Sequence, residues 1–560
     1  MIDGNEKSRD EVVKRLKSGD TPTAMTLLNE LLSNDPDNAD LLGLHGVALK
    51  ASGDIAGAEN ALRRSLSPTA PISIQFRNAS NLAVLFIHAG EREKAVDVLR
   101  QGWRWPEGRV LEAADRKSLG QIARTMHLLS LWEEQTALLA PVVDASQHDW
   151  EILRHFAIAI AASGRIAESL RLVEGYDAAD IDDHERQAAF AFLYHKLNRP
   201  QQAVKALRTF AASARPYILP AQASQKFVVG VLDALPSFER LVGAPEVHYF
   251  SANYPAWMVK RLPHRYRFAS IIVGASAEAV REFQSFRPQV VINNVTSSEF
   301  LMTGDNLLTT DRLARSLGIP VINAPDTAAG STRQMTSERL AGIPNVLVPM
   351  TGRFVRDVAR LGDLVAAIEQ KFTYPVIART TGEHNSANMV LIHGRADLES
   401  TLLGLTQRQI YVINYVGAPR RHGFYRRIRA VFFEGVPIVI RADYCPDWIV
   451  RSRSYVPAEM YRDWPELLTH ANAIISDPRK QLGAPAMAAL DAIGSAMRMD
   501  VFGMDFDIDE DGRVVVFEAN GSMNYFSSAP KELPYPPEAE AAFIKALESL
   551  LDRRAGHRLH

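Results

Sequence analysis

The stretch GMDFDIDEDGRVVVFEAN, residues 503–520, sets three oxygen-bearing side chains within reach of one another. Asp505 precedes an Asp511-Gly512 turn signal and Glu518 and Asn520 follow it, so the segment reads as a β-hairpin. Strand alternation puts Glu518 and Asn520 on one face and Ala519 on the other. With matching register, Asp505 lies beside them across the hairpin. Two carboxylates and an amide oxygen are hard donors, the kind Mg²⁺ takes while keeping waters and nucleotide phosphates. The same acidic run, with Asp507, Asp509, Glu510 and Asp511, is equally consistent with a solvated hairpin surface.

Basic residues supply a second set of candidates. IRAVFFEGVPIVIRA, residues 428–442, is another hairpin, turning at Glu434-Gly435, with Arg429 and Arg441 near the ends of its strands. They are either anion-binding groups or a salt-bridged hairpin face. Arg379, next to last in the strand-like YPVIART, reads on its own as a strand-end surface charge. Arg451 and Arg453, in DWIVRSRSY, read as a carboxylate site or as a solvated basic loop. RRHGFYRRIR is locally basic and reads as solvated surface. Aromatic residues near it alternate as strand core rather than forming a stacking platform, so no nucleic-acid partner is expected. Cys445, the only cysteine, has no identifiable base and reads as structural. A single cysteine excludes a disulfide within the chain and any multi-cysteine zinc site.

The elements that must position these groups fall in two halves. A length of 560 residues is too great for one core. Hydrophobic residues at 47%, charged residues at 23% and a net charge of −2 describe an ordinary globular chain with no global pull toward nucleic acid or an anionic membrane. The polar N-terminus lacks the apolar core of a signal peptide, and no run is long and apolar enough to span a bilayer. A cytoplasmic protein without membrane partners is the expectation.

Residues 1–215 read as helical repeats. Gly19 and Gly53 lie 34 residues apart, as do Gly164 and Asn198. Gly19, Gly53 and Asn198 are followed after five residues by Ala24, Ala58 and Ala203 and four later by Leu28, Leu62 and Leu207, and Gly164 is followed by a second helix. Gly90, Ala95 and Leu99 repeat the pattern, and a unit around Ser130 is degenerate. With small residues in the first helix (Gly46, Ala83, Ala157), this resembles the tetratricopeptide repeat, which implies an all-α solenoid that binds a peptide or partner protein. The array is expected to end in the small-residue stretch 211–216. From about residue 225, KFVVGVL, FASIIVG, PQVVINNV and IPVINAP alternate with helical segments, as in an open parallel sheet. No GxGxxG follows the first strand and no GxxxxGK[ST] is present, so neither dinucleotide fingerprint nor P-loop is on offer. Later strands and the two hairpins suggest an antiparallel sheet attached to that parallel subdomain.

The spacing D-x(12)-E-x-N at the end of a hairpin, followed by Gly521-Ser522, resembles the metal-binding end of the ATP-grasp superfamily, in its glutathione-synthetase-like and ribosomal-protein glutamate ligase flavour. The resemblance covers roughly residues 225–550. It implies an α/β pre-ATP-grasp subdomain (225–325), a central lid subdomain (326–410) and a C-terminal α+β subdomain with the metal site (411–555). It further implies an ATP-dependent carboxylate–amine ligase that forms an amide or peptide bond through an acyl phosphate. ATP and Mg²⁺ are the implied cofactors, with carboxylate and amine substrates as partners. Asp505, Glu518 and Asn520 match the family's Mg²⁺ ligands. Arg429 and Arg441 match arginines that act on the transferred phosphoryl group or a substrate carboxylate. Backbone groups of Tyr415 and Val416, in the linker IYVINYV, match the adenine contacts, with Asn414 where a Glu is common. Arg379 and Arg333 stand where two nucleotide-binding lysines are usual. TTGEHNSANM occupies the place of the phosphate-covering loop, with Gly382 its one glycine. The departure from lysine keeps open a nucleotide-binding, catalytically inactive helical-repeat scaffold. Association into oligomers is compatible with either reading.

Overall fold

The computed structural model describes residues 2–556 apart from 18, 102, 107–108, 110, 146–148, 177–182, 223, 236–252, 303, 382–388, 406–408, 418–419, 421, 454–455, 457, 524 and 526–532. The described residues separate into a first compact unit within Met1–Ser213 and a second within Ala214–Leu235 and Glu246–His560.

The first unit is built of helices. Its turns sit where the sequence repeats: Gly19, Gly53, Gly90 and Gly164 have φ of +80°, +90°, +79° and +90°. This is the left-handed conformation that ends a helix and that glycine adopts without a Cβ clash. Asn198 and Ser130 take the same conformation at +54° and +60°, so the degenerate unit turns like the rest. Small residues set helix spacing. A Cβ on Gly46, in helix Ala39–Ser52, would lie 2.5 Å from Leu62 Cγ in helix Ile55–Arg64. Ala58, Ala83, Ala95 and Leu99 are correspondingly sealed from solvent. No helix among the described residues is long and apolar enough to cross a membrane.

The second unit contains helices and three sheets. In the first sheet, β2 (Val228–Asp233), β3 (Arg267–Ile272), β4 (Pro288–Asn293) and β5 (Val321–Ile322) are parallel neighbours. The short β1 (Tyr217–Ile218) pairs antiparallel with β3, giving the order β1-β3-β2-β4-β5. The β-branched runs are buried along their length, as in a sheet covered on both faces. The remaining strands form two sheets rather than the single antiparallel one expected. β7 (Thr351–Val355), β8 (Val376–Thr380), β9 (Val390–Ile392) and β10 (Gln409–Asn414) are ordered β7-β10-β8-β9. β11 (Tyr425–Phe433), β12 (Val436–Cys445), β13 (Val501–Ile508) and β14 (Val514–Asn520) form an antiparallel sheet of two hairpins, ordered β12-β11-β13-β14. The short β6 (Val346–Leu347) adds to the β14 edge in parallel. Glu434 and Gly435, both at positive φ, make the tight turn between β11 and β12.

Candidate active site

Register in the third sheet brings the hairpin groups together. Asp505 lies directly opposite Glu518, and Arg429 lies opposite both Asp505 and Arg441. Four adjacent strands therefore carry one row of charged residues, Arg441–Arg429–Asp505–Glu518. A bulge between Asp505 and Phe506 leaves Phe517 as the extra residue of β14. Because of it, Val516 pairs with Phe506 in the core while Glu518, two residues on, pairs with Asp505. A regular strand would put Val516 and Glu518 on the same face.

Buried charge on this scale demands pairing. Arg429 grips Asp505 with two parallel bonds, Nε to Oδ1 at 2.7 Å and Nη2 to Oδ2 at 2.8 Å. Arg427 approaches the same carboxylate at 3.5 Å. Burial raises the Asp505 carboxyl pKa, but the neighbouring guanidiniums outweigh it and hold the group well below the usual range. Glu518 is ion-paired to Arg333 and accepts from Asn520 Nδ2 at 2.8 Å. Its pKa also ends below the ordinary value, since Arg333 and Arg379 outweigh desolvation. Asn520 Oδ1 accepts from the Ser522 N–H at 2.9 Å.

The three expected metal ligands thus converge, each already meeting a guanidinium or an N–H. Among the described residues no group of three His, Cys, Asp or Glu could hold a metal ion. As chemistry the set still suits a hard cation, because both carboxylates are held ionised and each oxygen has more than one acceptor position.

Asp505 and Glu518, though not Asn520, line a cavity of about 1070 Å³ of empty space, part of it open to solvent. Its lining combines the apolar Ile377, Met389, Ile413, Trp448 and Val450 with Arg333, Arg379, Arg426, Arg427, Arg429, Asp505, Asp507 and Glu518, and Arg379 Nη1 lies 3.8 Å from Met389 Sδ. Tyr415 and Val416 line the cavity where the chain leaves β10, and the Tyr415 ring stands edge-on to Trp448 at 5.8 Å. The Tyr415 N–H is engaged by Pro375 O at 3.1 Å, so of the expected base contacts its carbonyl and the Val416 backbone remain. Asn414 also lines the cavity, and its Oδ1 is buried with no hydrogen-bond partner among the described residues. Residues 382–388 of the expected phosphate loop, Gly382 included, lie outside the described residues.

Arg441 stands apart from the cavity. It is buried on Asp443, with Nη2 to Oδ2 at 3.0 Å, and its guanidinium lies over the Tyr535 ring at 5.5 Å. Arg453, read as a substrate contact or a solvated charge, is neither. It is fully buried, donating to Pro534 O, Ala442 O and Asn472 Oδ1 and stacking 4.3 Å from the Tyr535 centroid. Arg451 is exposed.

Sequence reading missed Arg426, Arg427 and Trp448. Arg427 and Arg429 share an i, i+2 relation on a strand, so the local signal lies in YRRIR, where it is indistinguishable from a solvated basic cluster. Arg426 and Arg420 instead neutralise Asp507, at 2.6 and 2.5 Å. Burial lowers the Arg427 pKa; Asp505 and Asp443, at 3.5 and 3.7 Å, offset the repulsion from Arg429 and Arg441 but not that desolvation.

No family model and no curated protein sequence matches the chain. Solved structures do show partial similarity. VanG D-Ala:D-Ser ligase from Enterococcus faecalis is similar over 58% of this chain and 99% of its own, at 12% identity and a TM-score of 0.35. N5-carboxyaminoimidazole ribonucleotide synthetase from Thermotoga maritima is similar over 60% of this chain and 77% of its own, at 12% identity and a TM-score of 0.31. A tetratricopeptide repeat protein from Parabacteroides merdae is similar over 37% of this chain and 78% of its own, at 17% identity and a TM-score of 0.27. Similarity at these levels assigns neither family nor activity, and the reading below rests on the chain's own geometry.

Proposed function

We propose that the second unit is an ATP-dependent carboxylate–amine ligase of the ATP-grasp kind, forming an amide or peptide bond through an acyl phosphate. The observation that carries this reading is the mixed lining of the cavity. Trp448 and the Tyr415–Val416 backbone suit a nucleobase, and the arginines beside two ionised carboxylates suit a polyphosphate. Arg333 and Arg379 keep the positive charge that lysines give in similar ligases and can grip phosphate in a bidentate way.

In the reaction, a substrate carboxylate oxygen attacks the γ-phosphorus of ATP, the bond to the bridging oxygen breaks, and ADP leaves. The amine nitrogen then attacks the acyl carbon, inorganic phosphate departs, and the amine loses a proton to solvent. Asp505, Glu518 and Asn520 would hold Mg²⁺, which supplies charge neutralisation at the phosphates. Arg427 and Arg429, pre-placed on one strand, neutralise charge that grows on the transferred group. Arg441 acts at one remove, fixing Asp443 behind Arg427. No Ser-His-Asp or Cys-His set is required. The repeat unit is assigned recognition of a peptide or protein, supported by its array of helix pairs turning at regular intervals.

The test is ADP and phosphate release across a panel of acids and amines, with Glu518→Gln as the control. The variant is expected to lose activity on the order of 100-fold or more, the scale of a lost electrostatic contact to the transition state, and to bind Mg-ATP more weakly. Unchanged Mg-ATP affinity would refute the metal assignment. A second reading, a nucleotide-binding scaffold without turnover, is favoured by the arginine pairs that already occupy Asp505 and Glu518. Tight Mg-ATP binding with no ADP release from any acid and amine would decide for it.

A further inference from the structure

Asp443 lies behind the cavity rather than in its wall. It sits on β12 directly opposite Arg427 and is 1% exposed. Three guanidiniums surround it: Arg441 Nη2 at 3.0 Å, Arg427 Nη2 at 3.7 Å and Arg453 Nε at 3.7 Å. A fourth neighbour is uncharged. Tyr535 OH donates to Asp443 Oδ1 at 2.8 Å while Arg441 donates to Oδ2, so each oxygen carries one short hydrogen bond. Tyr535, like Asp443, stays off the cavity wall.

Tyr535 is itself held. It belongs to the segment that follows Glu518 and Asn520, where Arg453 binds the carbonyls of Leu533 and Pro534. The guanidiniums of Arg453 and Arg441 lie 4.3 and 5.5 Å from its ring centroid. Burial and the Asp443 charge push its phenol up to about 12, so it stays a donor at neutral pH. Arg427 is held differently. Its carboxylate neighbours, Asp505 at 3.5 Å and Asp443 at 3.7 Å, stand beyond ordinary hydrogen-bond length. Asp505 already gives both oxygens to Arg429, which leaves Asp443 as the anchor behind Arg427. The Arg427 guanidinium lines the cavity, and its N–H donors keep capacity for a ligand.

We infer that Asp443 and Tyr535 are positioning residues for the ligase site: the Tyr535 hydroxyl fixes the Asp443 carboxylate, and that carboxylate aims the Arg427 guanidinium at the phosphates of ATP. The inference rests on the ligase reading for phosphate as the ligand of Arg427. Long ion pairs set the direction of a guanidinium without occupying its donors, whereas a bidentate partner, as Asp505 is for Arg429, occupies them. A guanidinium oriented in advance loses less freedom when a phosphate arrives. Without the hydroxyl, Asp443 Oδ1 keeps only Arg453 at 3.7 Å, and the carboxylate is no longer held to one orientation. Tyr535 thereby ties the segment after the metal-binding hairpin to a cation that meets the phosphates.

A double-mutant cycle on the full chain tests this, with affinity for a non-hydrolysable ATP analogue in the presence of Mg²⁺ read by calorimetry. Tyr535→Phe keeps the ring beside both guanidiniums and removes only the hydroxyl. It is expected to weaken the analogue about three- to ten-fold, the worth of roughly one hydrogen bond. In an Arg427→Met background the same change should alter affinity by less than about two-fold, because the group it positions is gone. Asp443→Asn should repeat the pattern, and Tyr535→Phe decides alone if that variant fails to fold. A merely structural hydroxyl would lower the urea midpoint and leave affinity unchanged. Wild-type affinity in Tyr535→Phe, a loss of equal size in both backgrounds, or an Arg427→Met variant that binds as the wild type does would overturn the inference. Failure of the ligase reading looks different: the coupling is present, yet no acid and amine release ADP. An analogue that does not bind the wild type overturns both.

Discussion

Arginines of similar sequence context divide here into two kinds, and burial partners tell them apart. Arg453 satisfies backbone carbonyls of three residues and the Asn472 amide, so it staples the segment around Pro534 to β12. Arg427 has only long ion pairs and faces the cavity. Arg453→Met is therefore expected to destabilise the second unit by about 3–5 kcal/mol, the cost of breaking a buried charge network, seen as a lower urea midpoint. Arg427→Met should leave that midpoint within about 1 kcal/mol of wild type, since it removes the desolvation cost of a buried guanidinium while Asp505 and Asp443 keep Arg429 and Arg441 as closer partners. It should instead weaken ATP roughly ten-fold or more by the loss of a charged hydrogen bond, read by calorimetry. The reverse pattern would mean that the cavity's cations are structural and that phosphate binds elsewhere.

At the scale of elements, the site depends on how β11 to β14 register and on what packs behind them. Helix Ala484–Met497 comes so close to the β11–β12 turn that a Cβ on Gly494 would lie 2.0 Å from Gly435 O. Gly494→Ala must push helix and turn apart, at a cost of about 1–3 kcal/mol for overpacking. A lower melting temperature with reduced activity at permissive temperature is the expected result, and an unchanged melt would show that the contact relaxes freely. Both hairpins were legible in the sequence because Glu434-Gly435 and Asp511-Gly512 are local turn signals between β-branched runs, and the pairing of Asp505 with Glu518 followed from counting outward. The bulge at Phe517 was not legible, since Val-Val-Val-Phe carries no mark of an extra residue. Nor was the bond from Arg429 to Asp505, which depends on β11 pairing with β13 across 76 residues. The bond from Tyr535 to Asp443 joins positions 92 residues apart, and no local pattern connects them.

At the scale of the whole chain, the two units are built around opposite electrostatic problems, and pH separates them. The repeat unit buries His155 completely, facing Arg154, Arg124 and His127, all cationic or able to become so, with Glu151 and Glu185 compensating Arg154. Burial first, and those cations second, hold the His155 pKa well below its ordinary value. Burial and Arg154 likewise lower His127 to about 4. Below the ordinary histidine value near 6.5, the unfolded chain takes up protons that the folded unit refuses, so stability falls as pH drops. For His127 alone the loss at pH 5 is about 2 kcal/mol. In the second unit the shifted acids include Asp505 and Glu518, whose pKa values are lowered by arginines, and Asp509, lowered by Arg513. Their contribution is intact above the ordinary carboxylate range and is lost only as pH falls below about 4. Calorimetric scans of the full chain at pH 7.5 and 5 should therefore show the repeat transition moving down by several degrees while that of the second unit holds. His127→Phe should remove much of the movement. A repeat transition that stays fixed between those pH values would mean that the histidines gain proton-accepting partners, most simply buried water, that offset their desolvation.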